Sequence, residues 1–133
     1  MSIVNPGPRR LTELDHVRLV RLTGEHPQDA LSDLLDAAHI VPSADIDPDV
    51  VTMYSQVLVT APETGEQRQL TVCYPDDAEP KQGFISVLSP VGTAMLGQRV
   101  GALVTSLTPG GQSRLLHIDA ILFQPEATGD YVT

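Results

Sequence analysis

The chain has 133 residues, of which 41% are hydrophobic but only 4% aromatic, with no tryptophan; this suffices for one aliphatic core and argues against a pocket walled by aromatic rings. Seventeen acidic against eight basic residues give a formal net charge of −9, so the chain has no general means of holding a phosphate backbone, and a basic protein surface is the better partner for its acidic face. Cys73 stands alone, which excludes an intrachain disulfide, and no spacing resembles a zinc site, a signal peptide or the roughly 18 apolar residues of a membrane span; the expectation is a soluble, cytoplasmic chain of one domain, with or without a small appendage.

Residues 1 to 8 contain Pro6-Gly7-Pro8 and read as a loose lead-in. Thr12 then suits the N-cap of a helix, with Asp15 three residues on as the capping-box acid. Leu11, Leu14, Val17 and Val20 recur at threes and predict one apolar stripe. "TGEHPQD" interrupts it, with Gly24 as a stop and Pro27 suited to the first turn of a second helix. Leu31, Leu34, Leu35 and Ala38 follow at helical spacing. Two short helices joined by so short a link predict an antiparallel helical hairpin.

"VPSADIDPD", 41 to 49, reads as a solvated connector, and beyond it the period changes to alternation. Val51, Met53, Val57 and Val59 share one parity and predict a half-buried strand; "APETGE" predicts a hairpin turn into a second strand carrying Leu70, Val72 and Tyr74. "PDDAEPKQG" is a polar loop. "ALVTSL" alternates again, "TPGG" from Thr108 to Gly111 fits a type II turn, and Leu116, Ile118, Ala120 and Leu122 are expected on one face of a last strand. The sum is an α+β domain: a mostly antiparallel sheet of about five strands with one short helix.

That helix begins at a corner. The apolar run Phe84, Ile85, Val87 and Leu88 meets Ser89-Pro90, in which Ser89 suits an N-cap and Pro90 the first helical position. Ala94, Met95 and Leu96 offer packing surface, and Gly97 fits a left-handed C-cap. Structure alone accounts for every residue of this corner, yet a fixed loop at a sheet end is also a good docking surface.

Little else suggests chemistry. His16, His26, His39 and His117 fall on different elements and read as packing or surface residues. Glu25, His26 and Asp29 gather at the hairpin tip, where helix capping and solvation account for them as well as a divalent ion would. Cys73 lies within a strand without a cationic neighbour and reads as a buried thiol. No nucleophile elbow, P-loop or dinucleotide fingerprint is present, so neither an enzyme, a cofactor nor a small-molecule substrate is indicated.

The stretch "PKQGFISVLSPVGTAMLGQRVG" followed by "TPGG" resembles the C-terminal domain of the Gre transcript-cleavage factors, where a similar K-Q-x-x-I-S-V-x-S-P segment opens the helix, L-x-G closes it and T-P-G-G joins the last two strands. "FQPEATGDYVT" and the short hairpin are similar to the Rnk family, described as regulators of nucleoside diphosphate kinase. The resemblance covers essentially the whole chain; it is specific from Val50 to Thr133 and looser over residues 9 to 40. It implies a coiled-coil hairpin with its connector over 1–47 and an FKBP-like, Gre-type domain over 48–133. It also implies a partner, bacterial RNA polymerase, approached near the secondary channel through Ser89 and Pro90, with Leu88 and Val91 flanking. Leu88 stands where Gre factors can carry an acid.

Gre factors place acidic residues at the tip of a long coiled coil that helps hold a catalytic metal. Helices of about 12 residues span only about 18 Å, so Glu25 and Asp29 are not expected to reach that point. The implied function is a non-enzymatic transcription regulator that binds polymerase without stimulating transcript cleavage, competes with Gre-type factors and affects nucleoside diphosphate kinase indirectly. The competing readings are a cleavage cofactor acting through Glu25 and Asp29, a prolyl isomerase suggested by fold alone, and a direct regulator of a nucleotide kinase.

Overall fold

The computed structural model describes residues 9–27, 29–107 and 110–129. Its fold is α+β: an N-terminal helical part packed on a curled five-stranded sheet that carries one further short helix.

The N-terminal part begins with a strand rather than a helix. β1 (Arg10–Thr12) leads into α1 (Glu13–Glu25); α2 (Asp29–Ala37) returns to β2 (His39–Val41). β1 and β2 pair in parallel, Arg10 opposite His39 and Thr12 opposite Val41, so the two feet of the hairpin are clasped together. Thr12 is the N-cap of α1 and accepts the Asp15 N–H at 3.0 Å. The two helices pack on one another, with His16 Nε2 lying 3.3 Å from the Leu35 carbonyl. On α2 the expected face is buried: Leu31, Leu34 and Leu35.

The expected stripe on α1 is corrected. Val17 and Val20 are 58% and 48% exposed, Leu14 is half-buried and Leu11 belongs to β1; the buried face carries Asp15 and Leu19, with Leu22 behind them. Spacing at threes drifts around a helix of 3.6 residues per turn, and the body packs on the face built at i, i+4 and i+7 instead.

The sheet comprises β3 (Gln56–Ala61), β4 (Glu66–Cys73), β5 (Phe84–Ser86), β6 (Leu103–Leu107) and β7 (Ser113–Phe123), in the order β5-β4-β3-β7-β6. Three pairings are antiparallel, and β4 with β5 is parallel. The "APETGE" turn joins β3 to β4 as expected. Val51 and Met53 are buried but precede the strand: Thr52 Oγ1 and Ser55 Oγ lie 2.8 Å apart, and Tyr54 takes φ 67°, a turn that ends the alternation before Gln56. The connector is also more than a solvated link. Ile46 is buried, and Asp47 and Asp49 pair with Arg99 at 2.9 and 3.5 Å.

One hydrophobic cluster takes residues from every layer: Leu11, Leu19 and Leu31 from the N-terminal part, Val57, Val59, Val72 and Ile118 from the sheet, and Met95 and Leu96 around α3 (Pro90–Met95). Thr108 and Pro109 of the "TPGG" turn and the Pro6-Gly7-Pro8 lead-in lie outside the described residues. Among those described, no helix is long and apolar enough to cross a membrane.

Candidate docking corner

The apolar run before Ser89-Pro90 is shorter as a strand than its composition suggests. β5 stops at Ser86, and Val87 and Leu88 form a turn held by side-chain oxygens. Ser86 Oγ accepts the Leu88 N–H at 3.0 Å, and the Ser86 carbonyl accepts both the Ser89 N–H at 2.9 Å and the Ser89 hydroxyl at 2.6 Å. Ser89 Oγ in turn accepts the Gly92 N–H at 3.1 Å as N-cap of α3, and Pro90 occupies the first turn. Thr93 Oγ1 donates to the Val87 carbonyl at 2.6 Å. Strand end, turn and helix start are therefore cross-tied by three hydroxyls.

Two glycines make this corner possible. A Cβ on Gly92 would stand 2.2 Å from the Ser86 carbonyl oxygen, well inside contact distance. Gly97 takes φ 79° just past the helix, where the left-handed conformation favours glycine, and its own face lies against the Arg10 carbonyl. The helix itself is buried over Gly92, Thr93, Ala94 and Met95.

Of the four corner residues, Pro90 is exposed, Ser89 is half-buried, and Leu88 and Val91 are half-buried against the hydrophobic cluster. The outward surface is thus proline ring and helix start, while the flanking aliphatic side chains anchor it. Arg9 fixes the other end of α3: its Nη1 donates to the Thr93 and Leu96 carbonyls, and burial lowers its pKa. The Arg10 N–H adds a bond to the Gly97 carbonyl at 3.2 Å. Residues so far upstream carried no sequence signal for this role; an arginine preceding a short strand is compatible with many contacts.

The hairpin tip residues Glu25, His26 and Asp29 are all exposed, and among the described residues no group of three or more His, Cys, Asp or Glu side chains is gathered for a metal ion. The sequence also gave no hint of where the tip lies. Glu25 and His26 line a groove of about 300 Å³ with Arg18, Arg21 and the segment Tyr74 to Asp76. Ala30, one residue beyond Asp29, lines another of about 340 Å³ with Pro90, Thr93, Ala94, Arg9, Thr105 and Ser106. The hairpin lies along the body, with its second helix starting beside the Ser-Pro corner.

His117 and Asp119 form a surface pair at 2.6 Å, and the Thr60 hydroxyl, then the His117 bond, holds the Asp119 carboxyl below its ordinary range. Cys73 is buried, its thiol donating to the Ile85 carbonyl at 3.5 Å and pushed up in pKa by desolvation.

Comparison with known proteins places these features in context. A model of the family "Transcription elongation factor, GreA/GreB, C-term" matches residues 45–122. The "Regulator of nucleoside diphosphate kinase" of Escherichia coli K12 is 39% identical over 104 residues, 78% of this chain and 76% of that protein. GreA of Solidesulfovibrio magneticus is 38% identical over 68 residues, 51% of this chain but only 42% of that factor. Among solved structures, a GreA/GreB elongation factor from Nitrosomonas europaea superposes with a TM-score of 0.74 at 31% identity, covering 88% of this chain and 99% of that one. GreA factor homolog 1 of Thermus thermophilus shares the fold at 23% identity with a TM-score of 0.51.

Proposed function

The chain belongs to the GreA/GreB C-terminal family and is a relative of the regulators of nucleoside diphosphate kinase, and from that premise we propose that it binds bacterial RNA polymerase near the secondary channel through the Ser89-Pro90 corner. Members of this family are transcription elongation factors and regulators. The finer reading is a docking factor that does not stimulate transcript cleavage, competes with Gre-type factors for one site, and alters nucleoside diphosphate kinase only through gene expression.

The observation that carries this reading is the position of the hairpin relative to the corner. Ala30 of α2 sits beside Pro90 and Thr93, and α1, at 13 residues, spans only about 20 Å. A partner that grips the corner therefore also holds the hairpin close to the docking surface, with Glu25 and Asp29 near the rim instead of deep in a channel. Two rigid bodies that use one patch exclude each other, and the effect on a longer-armed factor follows from occupancy alone.

The corner's rigidity supports the same conclusion. Pro90 is presented on a turn fixed by Ser86, Ser89 and Thr93, so little conformational entropy is lost on docking. Binding to core polymerase, measured with the wild type and with Ser89→Asp/Pro90→Ala, tests this directly. Aspartate keeps the N-cap but loses the hydroxyl bond to the Ser86 carbonyl, so the helix start is retained at some cost in stability while the outward chemistry changes. Saturable binding that the double variant weakens at least about tenfold, about 1.4 kcal/mol, with no shortening of RNA in a backtracked complex, is the expected result. Equal binding by both proteins refutes the corner; RNA shortening that depends on Glu25 and Asp29 refutes the non-cleaving reading.

A further inference from the structure

Beneath the foot of α1 lies a carboxyl group that the docking reading does not use. Asp15 is 1% exposed. Its Oδ2 accepts the Met53 backbone N–H at 3.2 Å, a hydrogen bond that ties the start of α1 to the sheet body. Met53 belongs to the turn before β3, and that turn is wired to α3: the Val51 carbonyl accepts the Gly97 N–H at 2.8 Å, and the Val51 N–H donates to the Gln98 carbonyl at 2.8 Å. Asp15 thus adds one more tie, beside those of Arg9 and Arg10, between the start of the hairpin and the segment that follows the corner helix.

The groups around this carboxyl come from three elements. At the N-cap and on its own helix are the Thr12 hydroxyl and Arg18; just past β4 comes Tyr74; and from the turn after β7 comes Glu126, whose Oε1 accepts the Thr52 hydroxyl at 2.7 Å. Desolvation is the dominant influence and raises the Asp15 pKa to about 7, the Met53 N–H opposes it, and Glu126 adds repulsion that Arg18 only partly offsets. Burying a carboxylate beside a second acid is tolerable while one of them holds a proton and becomes costly when both are charged.

We propose that Asp15 is a proton-operated latch between the helical hairpin and the sheet body, seated in its buried position when protonated and loosened when ionised because exclusion from water outweighs the stronger bond the Met53 amide makes to the charged form, with Glu126 as the group that sets its sensitivity. The bistable element is the base of the hairpin. In the closed state Asp15 is buried and pinned; in the open state its carboxylate reaches water and Met53 N–H is released. Since Met53 lies two residues from Val51, which bonds both Gly97 and Gln98, opening also slackens the segment that follows α3. The inference stands apart from polymerase binding and survives if that reading fails.

The direct test is an NMR titration of the Asp15 side-chain carbonyl in the full chain, with amide exchange of Met53 corrected for the intrinsic effect of pH. The expected midpoint is about 7, and the corrected protection of Met53 falls about tenfold between pH 6 and pH 8. Asp15→Asn, which keeps an acceptor for the amide and carries no charge, abolishes that pH dependence. Glu126→Gln removes the neighbouring charge at a partly exposed site and lowers the midpoint, which keeps the test open if the buried variant does not fold. A midpoint below 5, an unmoved midpoint in Glu126→Gln, or the same loss of protection in Asp15→Asn as in the wild type overturns the latch.

Discussion

At position 92 a single methyl group decides whether the corner can form. A Cβ there meets the Ser86 carbonyl oxygen at 2.2 Å and its carbon at 2.9 Å, both main-chain atoms that cannot swing aside. Gly92→Ala is expected to cost more than about 3 kcal/mol of stability, read from the midpoint of urea unfolding, whereas Gly24→Ala, where nothing lies within 4 Å, gains a few tenths to about 1 kcal/mol. Ser89→Ala removes both the cap on Gly92 and the bond to Ser86 and costs about 1 to 2 kcal/mol, while Ser89→Asp restores the cap and recovers part of it. Asp15 sets the direction of the pH response. Its carboxyl titrates near 7 in the folded chain against an ordinary value of 3.8, so the native state holds the extra proton over that window. Its contribution to stability is therefore greatest in acid, declines as pH rises from about 4 through 7, and is level above that. Denaturant midpoints of Asp15→Asn are expected to exceed those of the wild type at pH 8 and to converge with them near pH 4.

Among the elements, β7 shows how an inward pattern can be read correctly for half its length. Leu116 and Ile118 lie on the expected face, but Val59 opposes Ile118, Leu58 opposes Ala120 and Val57 opposes Ile121, so Asp119 is an extra residue that resets the parity. Ile121 then packs on the core and Leu122 is 51% exposed. Ile121→Ala is accordingly expected to cost about 2 kcal/mol or more, and Leu122→Ala under about 1, compared by thermal unfolding. The bulge was illegible because alternation assumes an unbroken ladder, and nothing about Asp119 in isolation announces that it bonds Thr60 and His117 sideways. The same limit applies to α1 and to the β1–β2 pair: which face is buried, and which three-residue segments find each other, depends on contacts across many positions. Capping signals written within a few residues were the legible ones, although Gly24, expected as a stop, lies inside α1, and Pro27 precedes α2 instead of standing in its first turn. Thr12, Ser89, Pro90 and Gly97 act at the caps assigned to them, because capping depends on neighbours in the chain. The corner was visible for that reason, while Arg9 and Ala30, brought to it by tertiary packing, were not.

In the molecule as a whole, the N-terminal part and the sheet are joined by a few polar ties and a shared apolar cluster. Arg9 contributes two charge-assisted bonds to α3, to Thr93 and Leu96. Arg9→Ala is expected to cost about 1 to 3 kcal/mol and, more tellingly, to raise amide exchange in Thr93 and Leu96 ahead of the sheet; uniform exchange across both would show that the tie carries no local weight. Competition belongs to this scale too. Added chain is expected to raise the apparent dissociation constant of a Gre factor for core polymerase linearly with its own free concentration, and an unchanged constant would remove the shared-site reading. The clasp between β1 and β2 has a further consequence for how such molecules diversify. Because Arg10 to Thr12 lie directly against His39 to Val41, the chain between them leaves and re-enters the body at one place, like the shank of a tool set in a common handle. Matched whole turns added to both helices would lengthen that shank without disturbing the handle's seating, so reach and grip become separate design variables that evolution can set one at a time.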